Sequence, residues 1–184
     1  MKKDKSKQNN SGQLLIEAMV AVSLMIIGLL GVFAVLSQSL GLNRVATDQF
    51  IAVHIAAEGV EVVKNMIDKD AREKVAFAQS INRTGKVTLD YTTDLSPDGY
   101  EMEAFSEGSP AYLKFDKTTG LYGHVSGEDT KFTRYVEISR EDIDPTDEDD
   151  ELIRVKSVVE WPSRGGLQGH VEVEDTFYDW RHLP

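Results

Sequence analysis

Residues 14–36 read LLIEAMVAVSLMIIGLLGVFAVL, and Glu17 is the only charge in that run. A helix needs roughly 20 apolar residues to cross a bilayer, so the run is long enough. A carboxylate in such a helix is costly: insertion scales put a central Asp at about 2.5–3.5 kcal/mol, less near the interface. A segment that served only as an anchor has no use for it. Upstream lies a short basic, polar leader, MKKDKSKQNNSG, ending at Gly12. A cut after Gly12 creates a new amine on Gln13, four residues before Glu17. That spacing is one helical turn and places amine and carboxylate on the same face.

Gly12, Gln13 and Glu17, followed by this apolar run, resemble the class III signal of type IV pilins and pseudopilins. The resemblance implies that a prepilin peptidase cuts after Gly12 and that the new terminus, Gln13, is N-methylated. It also implies that Glu17 meets the terminal amine of a neighbouring subunit during assembly. The first mature residue in that family is usually Phe; Gln is tolerated mainly in minor subunits. An ordinary secretory signal differs, because its apolar stretch of about 7–15 residues precedes the cut site. Here the stretch is longer and follows the glycine.

The 184-residue chain has 20 Lys+Arg and 31 Asp+Glu, a net charge of −11. The leader holds Lys2, Lys3, Lys5 and Lys7 against Asp4, so removing its +3 leaves −14. A basic leader stays in the cytoplasm under the positive-inside rule, which puts the C-terminal part outside. The expected organisation is a cleaved leader at 1–12, a transmembrane and assembly helix at 13–36, and one extracytoplasmic domain at 37–184. The expected location is the cytoplasmic membrane for the single-pass precursor and a cell-surface filament after assembly. So acidic an exterior is a poor match for nucleic acid, whose phosphates need Lys and Arg. With no cysteine, the domain must hold its fold by packing alone.

The apolar run passes without a turn signal into SQSLGLNRVATDQFIAVHIAAEGVEVVKNMIDKD. Phe50, Val53, Ala57, Val60, Val63 (or Lys64) and Ile67 recur every three or four residues and predict one buried stripe. Asp48, Gln49, Glu58, Glu61 and Asn65 fall off it. The pattern predicts a single helix over about 14–68, on the order of 80 Å long. Its first half is apolar all round and its second half amphipathic. Gly28, Gly31, Gly41 and Gly59 interrupt it, at about 0.8–1 kcal/mol each relative to Ala. They suit either close packing between membrane helices or local melting of the kind the family resemblance implies.

Val75, Phe77 and Ala78 suggest a short helix and residues 86–91 a short strand. After Gly99 the chain reads as a β meander: YEMEAF, AYLKFD, KFTRYVEISRE, LIRVKSVVEW and LQGHVEVEDTFYDW, separated by Gly, Pro, Asp and Ser clusters. Ile153, Val155, Ser157 and Val159 alternate with Arg154, Lys156 and Glu160, and Val171 and Val173 with Glu172 and Glu174. One face should pack on the helix and the other should be wet. The expected fold class is α+β: a long N-terminal helix on a C-terminal antiparallel sheet, as in the pilin fold. The stretch from Val155 to Trp180, with GLLGVFAVLSQSLGLNR after the anchor, is similar to the minor pilins described as type IV pilus modification protein.

Other candidate sites carry less. DIDPTDEDDE at 142–151 packs seven acids into ten residues. Asp142, Asp144 and Asp147 are a weak candidate for a divalent cation, but position six of an EF-hand loop must be Gly and is Asp147 here. A solvated loop is the plainer reading. His54, His124, His170 and His182 are scattered, and without cysteine a zinc site is not expected. No nucleophile elbow or phosphate-binding glycine loop is present. Trp161, Tyr178 and Trp180 read as residues closing a sheet core.

The expectation is therefore a minor pilin or pilin-like structural subunit, not an enzyme, with no cofactor. Its implied partners are prepilin peptidase, other pilin subunits, the inner-membrane assembly platform and the membrane itself. A type II secretion pseudopilin shares the N-terminal signal. A membrane-anchored surface enzyme or binding protein outside any filament is the alternative from a different class.

Overall fold

One helix, α1, spans Ser11–Glu73 in the computed structural model, which describes residues 11–81, 83–89, 91, 102–106, 112–142, 151–163 and 166–179. It starts three residues earlier and ends five later than the periodicity predicts. The chain divides into an N-terminal unit, Met1–Ala46, and a C-terminal unit, Thr47–Pro184, and α1 contributes to both. In the N-terminal unit the side chains are exposed around the whole helix, from Leu14 to Val45. In the C-terminal unit α1 packs on an antiparallel sheet, giving the expected α+β class.

The strands are β1 (Gly85–Thr88), β2 (Glu103–Ala104), β3 (Tyr112–Asp116), β4 (Leu121–Gly123), β5 (Glu128–Asp142), β6 (Glu151–Pro162) and β7 (Gln168–Tyr178). β5 is the spine. One of its edges pairs with β6 from Thr133↔Glu160 to Asp142↔Glu151. The other is shared: β3 takes the first part (Phe115↔Glu128, Tyr112↔Thr133) and β1 the later part (Gly85↔Ile138, Val87↔Val136). β7 lies outside β6, from Pro162↔Gln168 to Leu152↔Tyr178. β4 flanks β3 and β2 flanks β1. The expected meander thus holds for β5, β6 and β7, but β1 returns to the middle of β5. The three-residue β4 was not anticipated, because LYG is too short to show a period. The strand expected over 86–91 is β1, shifted one residue earlier and ended at Thr88.

The buried face of α1 differs from the predicted stripe. Val60, Val63 and Ile67 are buried, but Phe50, Val53, Ala57 and Lys64 are exposed. The face against the sheet is Ala52, Ile55, Ala56, Gly59, Val60, Val63, Met66 and Ile67. That face is turned from the predicted one by about 80°, so the two share Val60, Val63 and Ile67. Its small side chains explain the rotation: they let the helix backbone approach the sheet, which Phe50 could not. Gly59 lies directly over β6. A Cβ there would stand 3.2 Å from both Ser157 Cβ and Val136 Cγ2 and would collide with Ser157 Oγ. The need for Gly59 is close packing within the chain, neither of the two readings its sequence suggested.

The core has two parts. Ala52, Ile55 and Ala56 pack with Leu113, Phe132, Val159 and Trp161. Val60, Val63, Met66 and Ile67 pack with Val87, Val136, Ile138, Ile153 and Val155. Each buried Val, Ile or Leu contributes about 1.5–3 kcal/mol. The alternation read in β6 holds, with Ile153, Val155, Ser157 and Val159 buried. The opposite face is not wholly wet. Val158 is buried there, and Phe105 lies 4.7 Å from the ring of its cross-strand neighbour Tyr135.

The short helix expected at Val75, Phe77 and Ala78 does not form. Lys74, at φ 58°, closes α1: its N–H donates to Ala71 O and that of Val75 to Asp70 O. Ala78 also has positive φ, and 77–80 form a turn.

The close approach at Gly59 generates a test. Gly59→Ala should destabilise the C-terminal unit by about 1–3 kcal/mol through overpacking. Ser157→Ala alone should be neutral or slightly stabilising, because Ser157 Oγ is buried without a hydrogen bond. The double variant should be more stable than Gly59→Ala. Chemical denaturation of the full chain in micelles measures all three; a strictly additive result would show that the two positions do not meet.

Candidate functional site

The residues proposed for processing and assembly fall at the start of α1. Because the helix begins at Ser11, the bond between Gly12 and Gln13 lies in its first turn. Glu17 follows Gln13 by one turn on the same face. Gln13 and Glu17 are both exposed. Glu17 has no ion-pair partner among the described residues, and its neighbours Leu14, Leu15, Ile16, Met19 and Val20 present apolar surface. Lower on the helix, Ser23 Oγ donates to Met19 O at 2.8 Å, the usual way a hydroxyl is satisfied inside an apolar helix. Among the described residues this is the one helix long and apolar enough to cross a membrane.

The second charged constellation joins α1 to the sheet. Arg134 follows Phe132 and precedes Val136 and Ile138 on the inward face of β5, and it is 1% exposed. Its Nη1 donates to Ile55 O at 3.0 Å and to Glu58 Oε1 at 3.2 Å, and its Nη2 donates to Leu89 O at 2.9 Å. One guanidinium therefore ties together the helix backbone, a helix carboxylate and the strand leaving β1. Nearer the solvent, Lys131 Nζ pairs with Asp48 at 2.5 Å. At the other end of the contact Asp70 is buried and accepts from Ser80 N at 2.9 Å and from Ser80 Oγ. Arg140 Nη2 donates to Ala78 O at 2.6 Å and to Ile81 O at 2.8 Å, so β5 also holds the turn after α1. Glu58 falls off the predicted stripe yet accepts from Arg134, and no sequence motif marks Arg134, Asp70 or Arg140. The parity of Phe132, Arg134, Val136 and Ile138 was the available signal.

Other expectations divide. Trp161 is core, 5.8 Å from the Phe132 ring, with Gly169 lying against its indole. Tyr178 is exposed rather than core, because it follows the partly buried Phe177 and shares the outward parity of Glu172 and Glu174 on β7. Trp180 and His182 lie outside the described residues. So do Asp144, Asp147 and the side chain of Asp142; of Asp142 only the strand pairing with Glu151 is described. Among the described residues no group of three His, Asp or Glu side chains is placed to hold a metal. His54 packs edge-on to Phe50, and His170 lies 3.9 Å from Glu172.

Comparison with family models, curated proteins and solved structures returned no match. The remaining electrostatics describe a folded surface. In the turn after β3, the N–H of Thr118 donates to Asp116 at 2.7 Å and holds that carboxyl below its usual range. Burial pushes the Tyr122 and Tyr135 hydroxyls up. Arg154 and Lys156 share Glu174 across β6 and β7, a solvated charge ladder.

The Arg134 junction should dominate the stability of the helix–sheet contact. Arg134→Ala removes three charge-assisted bonds and should cost about 2–4 kcal/mol. Glu58→Gln should cost less, about 1 kcal/mol, because Arg134 keeps both carbonyls and Glu58 is half-exposed. The double variant should fall short of the sum. Denaturation followed by tryptophan fluorescence reads these differences; equal costs for the two single variants would contradict the assignment of the carbonyls to Arg134.

Proposed function

We propose that the chain is a minor pilin or pilin-like subunit of a type IV filament. It is made as a single-pass precursor with its leader in the cytoplasm, cut after Gly12 by a prepilin peptidase, and drawn into a filament by its N-terminal helix. The observation that carries this reading is Glu17: a lone carboxylate, one turn from Gln13, on a helix that is apolar and exposed on every side. An isolated charge in a bilayer is costly. A terminal amine on Gln13 of a neighbouring subunit supplies the opposite charge only when subunits stack. N-methylation of Gln13 belongs to the same reading. The role is assembly rather than catalysis. The fold supports it by dividing α1 into a free apolar part and a part committed to the sheet.

Processing and assembly are tested together. Replacing Gly12 with a bulky residue should leave uncleaved precursor, and N-terminal sequencing of the mature wild type should begin at Gln13. Glu17→Ala should still be cleaved and inserted, because it makes the segment more apolar. Its share of the sheared filament fraction, against the membrane pool, should fall several-fold. Equal incorporation of Glu17→Ala and wild type would remove the assembly role and favour a plain membrane anchor.

A further inference from the structure

β7 ends the sheet on one side. Among the described strands it pairs with β6 alone, along eleven residues. The strands that end the sheet elsewhere, β2 and β4, are two and three residues long. An edge strand offers unpaired N–H and C=O groups to any other strand. Proteins blunt such edges by shortness, lysine, proline, a bulge or a charge turned toward the packed face. β7 is long, and residues 168–178 contain neither proline nor lysine. Its register with β6 runs unbroken from Pro162↔Gln168 to Leu152↔Tyr178, so it has no bulge.

The remaining device is present. On the face toward α1, β7 sets Val171, Val173, Asp175 and Phe177 opposite Val159, Ser157, Val155 and Ile153. Those four β6 partners are buried. Val171, Val173 and Phe177 are half-buried and pack on the core, whereas Asp175 is exposed. Asp175 therefore interrupts an apolar row on the packed side of an edge strand. Its Oδ1 accepts from the N–H of Thr176 at 2.8 Å, which holds the carboxylate against the strand. Glu172 and Glu174 lie on the other face, where Arg154 and Lys156 share Glu174.

The position of Asp175 acquires a meaning when two copies are set edge to edge. In a two-fold antiparallel pair centred on residue 175, Val173 lies opposite Phe177 of the copy, Glu174 opposite Thr176 and Glu172 opposite Tyr178. The one like-charge pair is Asp175 with Asp175. Centred on 172, 173 or 174, the strands oppose Glu172 to itself, Glu172 to Glu174, or Glu174 to itself. Centred on 171, the pair stops at Gln168, sets Gly169 against Val173 and leaves Phe177 uncovered. Residues directly opposite have Cβ atoms about 4.5–5.5 Å apart, and like charges there are destabilising. We infer that Asp175 keeps the edge of β7 from pairing with β7 of a second copy, by meeting its own counterpart in the register that otherwise fits. This goes beyond the filament reading and does not depend on it.

The chain has no cysteine, so the register can be read by cross-linking. E174C and T176C are each made in the full chain with Asp175, with D175V and with D175K, and kept in detergent micelles. Chains carrying E174C are mixed with chains carrying T176C and mildly oxidised. With D175V the mixed disulfide should rise several-fold over the Asp175 background, and neither variant alone should cross-link to that extent. D175K should stay at the Asp175 level, because a lysine also meets its own charge. D175N, isosteric and uncharged, should move in the direction of D175V and serves if valine disturbs the fold by circular dichroism. Association through residues 14–45 is common to all backgrounds and cancels in the comparison. Mixed disulfide as abundant with Asp175 as with D175V and D175N would show that the carboxylate guards nothing. Cross-linking of D175K to the level of D175V would show that charge at 175 is not what matters, and would overturn the inference as well.

Discussion

A guanidinium buried between α1 and β5 sets the terms for the rest of the C-terminal unit. Arg134 cannot be buried without acceptors, because an unpaired charge in a low-dielectric interior costs several kcal/mol. Its acceptors are Ile55 O, Glu58 and Leu89 O. To reach a helix carbonyl, β5 must lie close to the backbone of α1. Close approach requires Ala52, Ala56 and Gly59 at the contact, and it turns Phe50 and Val53 outward. The same register brings Val63, Met66 and Ile67 over Val136, Ile138 and Val155. Farther along, Asp70 and Arg140 fasten the turn that leads back to β1.

Much of this architecture was legible in the sequence, and the errors have one physical origin. The long helix, the antiparallel strands and the inward set of β6 follow from periods of 3.6 and 2 that survive over many residues. The face of α1 does not follow, because its large apolar residues form a stripe of helical period that is not the packed one. At a helix–sheet contact this close, small residues are inside and Phe50 is outside. Arg134 is hidden as well, although it shares its strand parity with Phe132, Val136 and Ile138. β1 joins the middle of β5 through long-range pairing that no local pattern encodes. In the N-terminal segment the spacing of Gly12, Gln13 and Glu17 is a matter of sequence, and the helix start at Ser11 sets all three in one helical frame.

The two units use their helix surface differently. From Thr47 onward α1 has a packed face made by its own chain, with buried charges, small residues and a defined register. Before Ala46 it has apolar side chains exposed all round. In water that surface would be a liability; in a bilayer or among like helices it is what the surroundings demand. Glu17 is the exception that gives the segment a function beyond anchoring in the reading proposed here. The net charge is divided as well: residues 1–12 are basic, the apolar run nearly neutral, and the rest strongly acidic.

The central claim is that the C-terminal unit is closed by its own part of α1, through Arg134 and the two core clusters, and owes nothing to the apolar run. The most direct test is a fragment beginning at Ser37, studied without detergent by circular dichroism, near-ultraviolet tryptophan signal and sedimentation. The account predicts a soluble acidic monomer that unfolds cooperatively and shows the signal of a buried Trp161. A fragment that is unfolded, or that aggregates at low concentration, would contradict it.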